Sequence, residues 1–207
     1  SYRSYDAIVV GAGPAGCTTA IAHARRGAKV LLLEADPRAA KRFAGEWLHT
    51  TGVEVLDDLR IGHLPTARTR AGYGFVIFPD DGSEPIEMPY SSGVALSGEH
   101  SAIVDALRNA TRGYADIEVC TDARAVHIAE GVVRVEQRAR GAAVDVRAGR
   151  VIGADGRNSF VRKALGLAGS ESVALSHMAA VELRDVELPF EGFGHLVLGG
   201  PGPALFY

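Results

Sequence analysis

Cysteine is almost missing from this chain: Cys17 and Cys120 are the only two, too few to staple a fold. That points away from disulfide-built secreted domains and toward a reducing compartment. Long apolar runs are missing as well. No stretch approaches the roughly 20 residues of a bilayer-spanning helix, and no signal-like segment precedes the first apolar strand, so the expectation is a cytoplasmic protein with no membrane span. Neither sign of charge dominates: 22 Lys and Arg stand against 25 Asp and Glu, a net charge of −3. The cations are scattered, which leaves no basic stripe for nucleic acid. His-x-x-x-His and Cys-x-x-Cys spacings do not occur, so no metal site is expected, and His49, His63 and His100 read as structural histidines. No internal repeat or low-complexity tract interrupts the chain. What remains is 47% hydrophobic over 207 residues, enough for one large domain or one domain with an insertion.

The densest signal lies near the start, where the apolar run Tyr5–Val10 meets the G-x-G-x-x-G loop Gly11-Ala-Gly13-Pro14-Ala15-Gly16. Gly11 permits the tight turn off a strand and Gly13 lets the backbone approach a pyrophosphate. Gly16 lets the next helix pack on the sheet while its first amides face the anion. Pro14 to Arg26 has the small residues of such a helix, Gly27 stops it, and Lys29–Glu34 is a second apolar strand. A carboxylate at its end, Glu34, accepts hydrogen bonds from both hydroxyls of an adenosine ribose and repels a 2′-phosphate, so FAD or NAD is expected over NADP. The alternative is an acid that merely ends a strand in solvent. Cys17, in the first turn of the helix, is either a dipole-favoured thiolate or a small buried residue.

Downstream, Asp36–Arg42 is a basic loop in which Arg42 either reaches a phosphate or stays solvated. Glu46–Leu59 has helical spacing through Trp47, Leu48, Val55, Leu56 and Leu59, interrupted by Gly52. Strands are expected at Tyr73–Phe78 and Pro85–Met88 around the turn Asp80-Asp-Gly-Ser, an amphipathic helix at His100–Arg112 and a short strand at Ile117–Val119. Ala125–Ala129, Val132–Gln137 and Ala143–Val146, joined by Glu130-Gly and Arg140-Gly turns, read as an antiparallel meander. Arg150–Arg162 is a second signature: a buried strand delivers Asp155-Gly156 into a turn, and Ser159 caps the helix that follows. Asp155 then lies where ligands sit in such sheets, or else satisfies backbone amides at a plain corner. Further strands are expected at Met178–Leu183 and His195–Leu198.

The glycine loop, Glu34, the segment Arg42-x-x-Gly45-Glu46-Trp47-Leu48-His49 and the run Gly153-Ala-Asp155-Gly156-Arg-Asn-Ser159-x-Val-Arg162 together resemble the single-component flavin-dependent monooxygenases. These are the relatives of para-hydroxybenzoate hydroxylase, which extend to squalene epoxidase-like enzymes, flavin halogenases and geranylgeranyl reductases. The resemblance implies an α/β, Rossmann-like FAD/NAD(P)-binding fold of the glutathione reductase type, residues 1–60 and 98–167. Into it is inserted a mostly antiparallel β substrate region, residues 61–97 and 168–207. It further implies FAD with its adenosine on Glu34 and Ala35 and its pyrophosphate on Gly13–Gly16. Arg42 would lie beside the phosphate or ribose, the backbone of Ala125 against adenine, and the Asp155-Gly156 turn would support the cleft and the path of a transient NADPH. Trp47 and His49 become pocket residues. A Gly-Asp motif that relatives carry farther along is not present, so the resemblance also implies an N-terminal portion with a missing C-terminal half as partner.

In that lineage NADPH reduces the flavin, molecular oxygen gives a flavin C4a-hydroperoxide, and an aromatic, polyketide-like or isoprenoid small molecule is hydroxylated or epoxidised. No catalytic side chain is assigned. A flavin-dependent halogenase, disfavoured by the lack of tryptophan in Pro201–Tyr207, and a prenyl reductase are the alternatives. A non-catalytic binding protein on the dinucleotide fold is the alternative of another class.

Overall fold

The computed structural model describes residues 3–41, 44–61, 69–137, 141–167, 177–183 and 185–207. Strand β1 (Arg3–Val10) leads into α1 (Pro14–Ala24) and β2 (Val30–Glu34). A 3-10 turn (Pro37–Lys41) follows, then β3 (Gly45–Leu48), α2 (Thr50–Asp58), β4 (Thr69–Gly72), β5 (Gly74–Phe78), β6 (Ile86–Pro89) and β7 (Ala95–Glu99). After α3 (His100–Thr111) come β8 (Ile117–Thr121), β9 (Ala123–Ala129), β10 (Val132–Gln137), β11 (Ala142–Gly153), α4 (Phe160–Ala164), β12 (Phe193–Val197) and β13 (Ala204–Phe206). Two compact units result, Ser1–Arg42 with Ile103–Leu175 and Phe43–Ala102 with Ser176–Tyr207. No helix among the described residues is long and apolar enough to cross a membrane.

The first unit is a six-stranded sheet in the order β8-β2-β1-β11-β10-β9. β8, β2, β1 and the end of β11 run parallel. A parallel sheet is covered on both faces, which is why β2 reads Val-Leu-Leu-Leu with every position buried. On one face Ile8, Val10, Leu31 and Leu33 pack with Ala123, Ala125, Val133, Val135, Val146 and Val161. On α1 the buried positions Gly16, Cys17, Ala20, Ile21 and Ala24 form one stripe of mostly small side chains, and the helix packs on β1 and β2. β11 is a single strand of 12 residues, where the sequence suggested two segments. Its first half pairs antiparallel with β10 and its second half parallel with β1, sharing Val146 and Arg147.

In the second unit β3-β7-β4 form an antiparallel sheet and β13-β12-β5-β6 another, in which β12 runs parallel to β5. Gly45–Leu48 is a strand, where helical spacing had been expected from Glu46. Trp47 lies opposite Ser97 and Leu48 opposite Leu96, and only after an extended His49 does α2 begin. The pairing with β7 also carries this segment into the second unit. Met178–Leu183, expected as a strand, pairs with no described strand, and Met178, Val181 and Leu183 are exposed. His195 is 2% exposed, stacked on Phe78 at 5.6 Å. Its Nε2 accepts from the Phe190 N–H at 3.2 Å and Nδ1 lies 3.0 Å from the Phe193 carbonyl, so both ring nitrogens have partners and the imidazole is a core element.

Candidate functional site

The two motifs of the first unit meet at the C-terminal ends of β1 and β11. The Gly11 N–H donates to the Leu33 carbonyl at 2.8 Å and the Ala154 N–H to the Val10 carbonyl at 2.8 Å. Gly11 has φ +103°, and a Cβ there would collide with the Ala154 carbonyl and come within 2.9 Å of Asp155 Cα. At Gly16 a Cβ would run into the Gly11 carbonyl oxygen. Gly13 differs: a Cβ would meet nothing within 4 Å. The space above the loop is therefore open. No side chain caps α1, Pro14 occupies its first turn, and Pro14 and Ala15 are exposed, so the helix's leading amides are left for an anion.

Glu34 closes β2 beside this loop, 9% exposed. Its Oε2 accepts from the Ala12 N–H at 3.2 Å and from Arg108 Nη2 at 2.6 Å. Oε1 accepts from the Asp36 N–H at 2.9 Å. The carboxylate is thus held against the loop and has not turned out to solvent. Ala35, half-buried, continues the chain from it. Cys17 Sγ–H donates to the Ala12 carbonyl at 3.6 Å. Burial pushes this thiol up to about 11, with Arg108 opposing and Glu34 reinforcing the shift, so Cys17 is a packing residue that holds its proton.

Asp155 is half-buried and its carboxylate faces its own helix. Oδ2 accepts from the Phe160 and Val161 N–H groups at 2.6 and 3.1 Å, and Oδ1 from Ser159 Oγ at 2.5 Å. Ser159 Oγ in turn accepts from the Arg162 N–H at 2.9 Å. The first use of Asp155 is therefore the fixing of the strand–turn–helix corner. Gly156, exposed with φ +75°, leaves open space where a Cβ would stand. Ala125 is 3% exposed, its methyl in the core cluster with Ile8 and Leu33, and it lies opposite Val135 in the β9–β10 ladder. Arg42 and His63 lie outside the described residues.

In the second unit the structure brings Trp47 and His49 together around Tyr90. Trp47 Nε1–H donates to Tyr90 Oη at 2.9 Å, and Tyr90 Oη lies 2.6 Å from His49 Nδ1. Phe75 sits 4.9 Å from the Trp47 ring and 5.8 Å from His49, and Tyr207 meets Trp47 edge-on at 5.9 Å. Burial and the Glu46 carboxylate raise the Tyr207 hydroxyl above the ordinary phenol range. His100, buried, places Nδ1 2.5 Å from Glu46 Oε1. Among the described residues no cluster of His, Cys, Asp and Glu has the makings of a metal site.

Arg108 escaped the sequence reading. Three of its nitrogens reach three acceptors: Nε the Ala12 carbonyl at 2.8 Å, Nη1 the Pro37 carbonyl at 3.0 Å and Nη2 Glu34 Oε2 at 2.6 Å. Its signal was a cation four residues after Val104 on the buried stripe of α3, which includes Ile103, Val104, Leu107 and Thr111.

Comparison with known proteins identifies the family and the fold. The profile of a family described as "FAD binding domain" matches residues 4–201. A squalene epoxidase of Candida albicans is 28% identical over 98% of this chain and 50% of its own length. A 6-methylpretetramide 4-monooxygenase of Streptomyces rimosus is 33% identical over 78% of this chain and 41% of its own length. A geranylgeranyl bacteriochlorophyll reductase-like protein of Thermoplasma acidophilum superimposes with a TM-score of 0.70 at 24% identity, covering 99% of this chain and 56% of that one. The fold is the FAD/NAD(P)-binding fold, and the chain spans about half the length of the relatives it matches.

Proposed function

This chain belongs to the FAD binding domain family, and we propose that its first unit holds the adenosine diphosphate half of FAD in the service of a monooxygenase. In this reading the pyrophosphate lies on the backbone from Gly11 through Gly13, Pro14 and Ala15 to Gly16. Glu34 takes the ribose with Ala35 beside it, Arg42 adds a cation at the phosphate or ribose, and the backbone of Ala125 touches adenine. Asp155-Gly156 supports the cleft from the neighbouring strand and guides a transient NADPH. Bound and reduced by NADPH, FAD supplies the activation of molecular oxygen from which one atom passes to an organic substrate. The observation that carries the reading is the open space over Gly13 beside uncapped helix amides, with a carboxylate fixed next to it.

The second unit contributes to the substrate pocket through Trp47 and His49. Trp47 donates to Tyr90 Oη, and in the His49 tautomer that carries its proton on Nε2 the Tyr90 hydroxyl donates to Nδ1. Such a pair of rings, locked through a third, excludes water and offers one N–H to a substrate oxygen. The substrate class, isoprenoid or polyketide-like, is supported by the names of the relatives, which act on squalene and on 6-methylpretetramide.

Titration of FAD, followed by quenching of its fluorescence, tests the cofactor reading. Gly13→Val combined with Glu34→Ala is expected to weaken binding at least 100-fold, and unchanged affinity overturns it. NADPH-dependent incorporation of one isotopic oxygen atom into product separates oxygenation from halogenation and from prenyl reduction.

A further inference from the structure

We propose that Arg108 is the positioning residue that sets which lone pair of Glu34 faces a nucleotide ribose. The inference rests on reading Glu34 as the ribose acid. A carboxylate offers about four acceptor directions. Two on Oε2 are taken by the Ala12 N–H and Arg108 Nη2, and one on Oε1 by the Asp36 N–H. One direction, on Oε1, remains, so Glu34 can accept from one ribose hydroxyl, where the sequence suggested both. Arg108 determines this outcome because its planar fork joins three separate segments: the glycine loop at Ala12, the end of β2 at Glu34 and the turn at Pro37. The pair is largely shielded, with side chains 15% and 11% exposed. Losing the cation therefore leaves a desolvated carboxylate without its charged partner, held only by the Ala12 and Asp36 N–H groups. The guanidinium also offsets the negative charge of Glu34, so the charge that faces the ribose is that of a balanced pair. A lysine reaches one of the three acceptors and restores only part of the alignment.

The test compares two probes that differ only in the ribose, ADP and 2′,3′-dideoxyadenosine diphosphate, by titration calorimetry on the whole chain. The wild type is expected to prefer ADP by about tenfold or more, since a site aligned to a hydroxyl rejects the analogue without one. In Arg108→Met the preference falls to about twofold or less while affinity for the dideoxy probe changes little. Arg108→Lys falls between. A purely structural role weakens both probes alike, so a wild-type preference retained in Arg108→Met overturns the proposal. If Arg108→Met does not fold, as judged by circular dichroism, Arg108→Lys decides by the same ratio. A wild type that binds both probes equally, with Arg108→Met the same, overturns the reading of Glu34 and the proposal with it. A loss of preference in Glu34→Gln but not in Arg108→Met overturns the proposal alone.

Discussion

In the first unit every residue of β2 is buried, and Ile8, Val9, Val30 and Leu32 are closed to solvent. In the second unit all four residues of β6 are exposed, and Ile86 and Met88 are each about half open. The contrast extends to what holds each together. The first unit gains from fully buried aliphatic side chains, each worth about 1.5–3 kcal/mol relative to exposure, and Glu34 and Asp155 each accept three hydrogen bonds within it. The second unit leans on tilted ring contacts and on the Trp47–Tyr90–His49 hydrogen bonds, interactions worth about 0.5–1.5 kcal/mol each. Stability and site geometry are concentrated in the same place in one unit and spread thinly across the other.

The comparison breaks most sharply at glycines. Gly16→Ala drives a Cβ into the Gly11 carbonyl, a backbone atom with nowhere to go; the expected loss is about 3 kcal/mol or more, read as a shift of the urea midpoint. Gly52→Ala presses only on the Leu48 side chain, and gains helix propensity of about 1 kcal/mol, so its midpoint should stay within about 1 kcal/mol of wild type. Equal losses at the two positions would erase the distinction between rigid and forgiving units.

Alkaline pH sharpens it next. Burial raises the Cys17 thiol from 9.0 to about 11. A folded value above the unfolded one means the folded state holds the proton longer, so its contribution is whole below pH ~9 and drains away as pH climbs to about 11. The expected decline is on the order of 2 kcal/mol. In Cys17→Ala that part of the slope between pH ~9 and ~11 should vanish, measured by urea titrations across the range. Smaller still is Tyr90→Phe, which strips a partner from Trp47 Nε1 and from His49. A loss of about 1 kcal/mol is expected, together with a change in the Trp47 emission. At the bottom of the scale, Met88→Ser on the exposed strand should alter stability by less than about 0.5 kcal/mol; a larger effect would mean that β6 is as tightly held as β2.

The unit of strong burial was also the one that could be read in advance. β1, the glycine loop, α1 and β2 are local patterns whose hydrophobic period, small residues and terminal acid all point to one arrangement. The Asp155 corner was readable as a place but not as a use, because which oxygen takes which amide is decided by the α4 backbone. In the second unit the short run Trp47-Leu48 fits a helical and an extended period equally, and its pairing with β7 resolves the choice across about 50 residues of chain. β7 itself, Ala-Leu-Ser-Gly-Glu, carries too little branched or aromatic character to announce a strand. Arg108 sits 74 residues from Glu34, and no local pattern links the two.

β11 links the meander to the parallel sheet without a joint. Because Val146 and Arg147 are bonded to β1 on one side and β10 on the other, the hairpin of β9 and β10 cannot peel away without shearing the ladder that ends at Gly153, two residues before Asp155. The strand behaves as a splint. Amide protons from Val144 to Ile152 should exchange with deuterium on a single common timescale, and a ligand that stiffens the Asp155 corner should slow exchange at the far tip of the hairpin as well.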